Sequence, residues 1–162
     1  MSTFNGLPAH ILYVHFIVVL APLTAILAIL CVLWPAARQR LVWLVLVLAG
    51  VVAVLTPVTT EAGEYLEHRV GRTPLIHAHA ELGDTMIYFA AALLVAAVLL
   101  AVVHLRTSRG KSVSTALNVV VAVMVLAAGI GTIVQTYRIG DSGAKSAWAD
   151  LPPAPASGEG GE

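Results

Sequence analysis

The sequence predicts an all-α integral membrane protein, a four-helix bundle, and two observations carry this prediction. Of the 162 residues, 59% are hydrophobic and only 11% are charged, and the mean hydropathy of +0.89 is well above that of soluble domains. Four apolar runs are each close to the roughly 20 residues that a helix needs to cross about 30 Å of hydrocarbon. They cover residues 11–33, 41–58, 85–103 and 116–134. Because none of them alternates apolar with polar residues, a membrane β-barrel is excluded.

Each run predicts one helix of a single transmembrane domain, residues 1–151. Helix one, about 9–34, begins just after Pro8, since proline suits a first helical turn. Its run exceeds the roughly 7 to 15 apolar residues of a signal peptide, so we expect it to remain in the chain. Helices two, three and four are expected at about 40–67, 79–104 and 114–138. The tail 152–162 is rich in Pro, Ala, Ser and Gly and is predicted to be disordered.

The distribution of charge predicts the orientation of the bundle. The short segments 35–40 and 104–114 contain five basic residues and no acidic one. Positively charged short loops face the cytoplasm. All nine acidic residues lie in segments of the opposite side. We therefore expect a multi-pass protein of the cell membrane with both termini extracytoplasmic.

An internal comparison suggests two helical hairpins related by a pseudo-twofold repeat. The overlay of "HILYVHF" (10–16) on "HAELGDT" (79–85) pairs His10 with His79 and His15 with Asp84. The overlay of "TTEAGEYLE" (59–67) on "TYRIGDSGA" (136–144) pairs Gly63 with Gly140 and Glu64 with Asp141. Short apolar helices also align by chance, so duplication and coincidence both stay open.

A repeat of this kind would bring histidines and carboxylates together at the outer mouth of the bundle. Such a set inside a helical bundle is the ligand chemistry of Zn, Fe or Mn, and histidines on facing helices can also clamp haem b axially. The candidate cofactor ligands are His10, His15 and His79. The candidate metal ligands are His15, Glu64, His79, Asp84 and Asp141.

Each of these residues also has a structural interpretation. His15 lies about 7 Å inside its run, and its imidazole either ligates a cofactor or hydrogen-bonds a helix carbonyl or a nearby tyrosine. His10 and His15 fall on different faces, because five residues turn a helix by about 140°. Glu81 and Asp84, at the predicted start of helix three, suit a helix cap and dipole.

The acidic residues at the end of helix two need a different explanation. These are Glu61, Glu64 and Glu67. The helix dipole disfavours negative charge at a C-terminus. Either these carboxylates are fully exposed to water, or a cation lies beside them, such as Arg138, a histidine or a metal.

Four motifs in order give the chain a resemblance to a known family. They are "FNGLPAHILYVHF", "TEAGEYLEH", "HAELGD" and "RIGDSGAKSAW". With the helices between them they resemble the predicted four-helix bacterial membrane proteins called DUF2231, a family of unknown function common in actinobacteria. The resemblance implies an inner-membrane four-helix fold. The polar positions that it carries over are His10, His15, Glu64, His79 and Asp141.

Two classes of function stay open. Motifs for nucleotide binding, c-type haem attachment and the common hydrolases do not occur, so no catalytic residue is predicted. The basic segments are explained by topology, which argues against nucleic acid as a partner. The chain is expected in the lipid bilayer, as a homo-oligomer or in a larger membrane complex. It either binds a transition metal ion or haem b and serves a redox process, or it is a structural accessory subunit without a cofactor.

Overall fold

The computed structural model describes residues 3–4, 7–70 and 73–148, and almost all of them are helical. The helices are α1 (Ala9–Leu33), α2 (Pro35–Val70), α3 (Pro74–Asp84), α4 (Met86–Ser108) and α5 (Thr115–Trp148). A short antiparallel pair, β1 (Thr3–Phe4) and β2 (Leu7–Pro8), precedes α1. The all-α prediction is therefore confirmed. The tail 152–162, predicted to be disordered, lies outside the described residues.

Four helical segments in the described part of the chain are long and apolar enough to cross a membrane. They are His10–Leu33, Pro35–Arg69, Pro74–Ser108 and Thr115–Trp148, so that α3 and α4 together make the third. At 1.5 Å per residue, the 36 residues of α2 extend about 54 Å, well beyond the roughly 30 Å of hydrocarbon. The polar end of α2 therefore projects out of the apolar layer.

Helices α2 and α5 extend further than the apolar runs predict, and the local sequence explains why. Helix α2 starts at Pro35 because proline fits a first helical turn and the Ala, Arg and Gln that follow are good helix formers. Helix α5 continues to Trp148, and the Lys145 ammonium donates to the Asp141 carboxylate at 2.7 Å, one turn apart on its surface. Hydropathy marks only the part of a helix that lies in lipid.

The third segment begins earlier than expected and is interrupted once. The Thr73 hydroxyl accepts a hydrogen bond from the Ile76 N–H at 3.3 Å and caps α3, with Pro74 in its first turn. The helix breaks at Thr85, whose hydroxyl donates to the Leu82 carbonyl at 2.6 Å. Glu81 and Asp84 therefore lie in the last turn of α3, and their interpretation as N-terminal cap and dipole residues is wrong.

The long helices form a ring in which each packs against two neighbours. Helix α1 contacts α2 and α5, and α4 contacts the same two helices. The centre is built from small side chains, which let helices approach closely. The fully buried alanines include Ala21, Ala25, Ala28, Ala49, Ala90 and Ala97. At Gly129, a Cβ would stand only 3.0 Å from Ile29 Cδ1, so glycine is what allows α5 to approach α1.

The two ends of the bundle differ in chemistry. One end, formed by the start of α2, the end of α4 and the connection from α4 to α5, carries Arg38, Arg40, Arg106, Arg109 and Lys111. The start of α1, the end of α2, helix α3 and the end of α5 meet at the other end, as the hydrogen bonds below establish. That the basic end faces the cytoplasm stays a prediction.

Candidate functional site: a polar mouth

Polar groups from four helices lie where α3 packs against the ends of α2 and α5. We call this set the polar mouth, and its members are His10, Thr59, His79, Gln135 and Ser142. Thr59 and Gln135 are buried and the other three are half-buried. Hydrogen bonds between helices hold each histidine in place.

His10, at the start of α1, is held against the end of α2. Its Nδ1–H donates to the backbone carbonyl of Thr59 at 2.9 Å. Because a carbonyl only accepts hydrogen bonds, the proton of a neutral His10 imidazole is on Nδ1 and the lone pair is on Nε2. The ring lies flush with Gly63, where an added Cβ would stand 2.9 Å from Cε1 and 3.0 Å from Nδ1. Only glycine leaves room for the imidazole at this position.

His79, on α3, is held against α5 in the same way. Its Nδ1 is 2.9 Å from the Ser142 hydroxyl, which itself donates to the Ile139 carbonyl at 2.9 Å. Since that single hydroxyl proton is used on Ile139, the Ser142 oxygen accepts from His79 Nδ1–H, and the lone pair again belongs to Nε2. An added Cβ on Gly143 would stand 3.0 Å from His79 Cε1.

The two histidine contacts follow one spacing. His10 bonds the carbonyl of Thr59 and lies against Gly63, four residues later. His79 bonds the Ser142 hydroxyl, which itself donates to the Ile139 carbonyl, and lies against Gly143, four residues after Ile139. A helical turn without a Cβ therefore receives each ring, and the carbonyl one turn earlier is bonded directly by His10 and through the Ser142 hydroxyl by His79.

Gln135 ties α5 to the break between α3 and α4. Its side-chain amide donates to the Thr85 hydroxyl at 2.6 Å and lies 3.3 Å from the Leu82 carbonyl. The Arg138 guanidinium approaches the oxygen of the same amide at 3.4 Å. The helix interruption at Thr85 is thus satisfied by a buried side chain, as a polar break near a membrane requires.

A second cluster joins the end of α2 to α3. Glu67 is only 7% exposed, and its Oε1 lies 3.6 Å from His77 Nδ1. The other ring nitrogen of His77 lies 3.4 Å from Glu81 Oε1, one turn along α3. Of the explanations for an acidic residue at this helix end, the neighbouring histidine fits Glu67.

The remaining candidate residues lie apart from the two histidines. His15 is exposed, and its Nδ1 bonds the Ile11 carbonyl of its own helix at 2.5 Å. Glu64, Asp84 and Asp141 are also exposed, and Asp141 pairs with Lys145. Among the described residues no three His, Cys, Asp or Glu side chains are placed to hold one metal ion. His10 and His79 are the candidates whose side chains form hydrogen bonds between helices, and the side chains of the other four are exposed.

A family comparison agrees with this architecture. The family described as "Predicted membrane protein (DUF2231)" matches residues 6–151, which is most of the chain and all of its helices. The chain belongs to the DUF2231 family. It is therefore a multi-pass membrane protein, and the resemblance seen in the sequence motifs is confirmed. No curated protein and no solved structure matches the chain significantly.

Several residues in and around the polar mouth of this DUF2231 protein were not among the predicted site residues. Thr59 acts through its backbone carbonyl, which no side-chain pattern reveals. Ser142 and Gly143 lie beyond residue 138, the predicted end of helix four. Glu67 follows Glu64 on the same helix, but burial distinguishes the two carboxylates and composition does not. Gln135 did carry a signal, because it is a polar residue directly at the end of an apolar run.

Proposed function

We propose that this DUF2231 protein binds a transition-metal centre, either a metal ion or haem b, at the polar mouth and serves a redox process. The observation that carries the proposal is the shared tautomer of His10 and His79. Histidines that ligate metals almost always donate their other ring N–H to a carbonyl, a carboxylate or water, which fixes the ring and leaves the opposite nitrogen for the metal. Both imidazoles already have this arrangement.

The two imidazole donors limit which metal centres the polar mouth could bind. Two imidazoles from different helices fit the axial pair of haem b, or two positions on an ion whose remaining ligands are water. A bound group of this kind supplies one-electron chemistry. The chain contributes ring orientation, through the Thr59 carbonyl and the Ser142 hydroxyl, and close packing, through Gly63 and Gly143. His15, Glu64, Asp84 and Asp141 are left out because their side chains are exposed.

The same contacts support a duplicated plan of two helical hairpins. We infer a register that pairs His10 with His79, as in the sequence overlay, but Gly63 with Gly143 instead of Gly140. Nothing lies within 4 Å of a Cβ built on Gly140, whereas Gly143 receives the imidazole. With the basic end in the cytoplasm, the mouth and both termini would face the extracytoplasmic side.

Metal analysis and an absorption spectrum of the purified protein test the proposal. We expect stoichiometric metal or haem in the wild type and its loss in His10→Ala and His79→Ala. The matched controls are His68→Ala, an exposed histidine on α2, and His15→Ala, an exposed one on α1. Both controls should retain the centre. A wild type without bound metal or haem, or a centre that survives both mouth substitutions, would overturn the proposal.

A cofactor-free accessory subunit is the second candidate, and the hydrogen bonds themselves favour it. The His10 bond joins α1 to α2, the His79 bond joins α3 to α5, and the Gln135 bond joins α5 to the start of α4. Polar groups in this role tie helix ends together. If this candidate is correct, His10→Ala lowers the free energy of unfolding by about 0.5–1.5 kcal/mol while no preparation contains a cofactor.

A further inference from the structure

The basic end of the bundle contains a cavity that the proposed function does not use. Its volume is about 320 Å³. Apolar walls come from α1, α4 and α5, through Val32, Leu100 and Ala122 among others, and the polar lining includes Arg38 and Asn118. The cavity therefore combines a cationic side chain with a hydrocarbon-like surface.

Arg38 has no anionic partner in the described part of the chain. Its side chain is half-buried, and the ion pairs among the described residues involve other groups. The segments at this end, 35–40 and 104–114, contain no acidic residue at all. An anion that binds from outside the protein would stabilise a guanidinium in a partly apolar cavity.

We propose that this cavity binds an anionic phospholipid, with the headgroup phosphate on Arg38 and the upper acyl chain against the apolar walls. Arginine pairs with phosphate through two parallel hydrogen bonds, and basic pockets between membrane helices bind anionic headgroups. Trp34, 63% exposed at the end of α1, marks the level of the membrane interface. Val119, 55% exposed, lies at the rim of the cavity, so the apolar part adjoins the surface that faces lipid.

Native mass spectrometry after reconstitution with phosphatidylglycerol or phosphatidylcholine tests this site. The wild type should retain phosphatidylglycerol in preference to phosphatidylcholine. R38Q should lower that retention about fivefold, the value expected for one basic residue near a lipid headgroup. The matched control is R40Q, which removes the same charge from an exposed position of the same segment. It should leave retention almost unchanged.

A second variant tests the apolar half of the cavity and keeps the proposal falsifiable if R38Q does not fold. A122F should fill the cavity and reduce lipid retention with every charge intact. Equal losses in R38Q and R40Q would overturn the site in favour of general surface charge. Retention unchanged in A122F would overturn the acyl-chain contact. Displacement of the lipid by millimolar inorganic phosphate would assign the site to a soluble anion instead.

Discussion

Replacing Gly63 with alanine tests the geometry of the polar mouth most directly. The new Cβ would stand 2.9 Å from His10 Cε1, closer than a carbon atom tolerates. The neighbour is a side-chain ring, so the imidazole can swing away, but it then loses its hydrogen bond to the Thr59 carbonyl. The substitution therefore exchanges one interhelical hydrogen bond for a better helix former.

These two effects nearly cancel in Gly63→Ala, so a comparison is needed. Loss of the hydrogen bond costs about 0.5–1.5 kcal/mol, and alanine in place of glycine inside a helix contributes about 0.8–1.0 kcal/mol. Gly140→Ala receives only the second effect, because nothing lies within 4 Å of its Cβ. We expect Gly63→Ala to be less stable than Gly140→Ala by about 0.5–1.5 kcal/mol, and by up to about 3 kcal/mol if the ring cannot move.

Denaturant unfolding in detergent, followed by circular dichroism, measures this difference. In a His10→Ala background the Gly63 substitution should stabilise as much as the Gly140 substitution does, because no ring remains to be displaced. Gly143→Ala should behave like Gly63→Ala, since His79 lies 3.0 Å from its Cβ. Equal stabilisation by the Gly63 and Gly140 substitutions in the wild-type background would refute the packing of His10 on α2.

Three further predictions concern the rest of the molecule. A reporter fused after Arg109 should lie in the cytoplasm and one fused after Trp148 outside it, and the opposite result would place the polar mouth in the cytoplasm. Gln135→Ala should lower the free energy of unfolding by about 1–3 kcal/mol, because it removes the amide that hydrogen-bonds the break between α3 and α4. The exposed control Gln39→Ala should change the free energy of unfolding by less than about 0.5 kcal/mol. Equal effects of the two substitutions would contradict this role of Gln135. Cys31, fully buried, should react with a thiol reagent only after unfolding, so rapid labelling of the native protein would argue against the packing of α1.

The number of membrane-spanning segments could be predicted because it depends on one strong signal. Four runs of hydrocarbon-spanning length leave few alternatives to a helical bundle. The helix ends could not be predicted from the same signal, because outside the lipid a helix continues or stops according to local chemistry. The Thr73 cap starts α3 within a segment that is predicted to be a connection. The Asp141–Lys145 pair lies on a part of α5 beyond the predicted end of helix four.

Prediction of the site was less complete, and His15 shows the reason. Helical geometry places His10 and His15 on different faces, and the structure points His10 into the bundle and leaves His15 exposed. Depth in the apolar run favoured His15 as an interior residue. However, its Nδ1 reaches the Ile11 carbonyl one turn earlier. A helix that satisfies its own histidine removes the need for an interior partner, and sequence spacing alone does not tell which of two faces turns inward.

The shift in the second overlay has a physical explanation. Sequence comparison pairs Gly63 with Gly140 because an acidic residue follows each. The contacts instead depend on a carbonyl and a missing Cβ one helical turn apart. Thr59 and Gly63 provide them for His10 directly, and Ile139 and Gly143 provide them for His79 through the Ser142 hydroxyl. In that register the acidic residues after Gly63 and Gly140 are no longer equivalent, which agrees with their exposure and their separation from the histidines. The proposed repeat would constrain the backbone carbonyls and glycines that contact the two imidazoles, and it would leave neighbouring charged side chains free to differ.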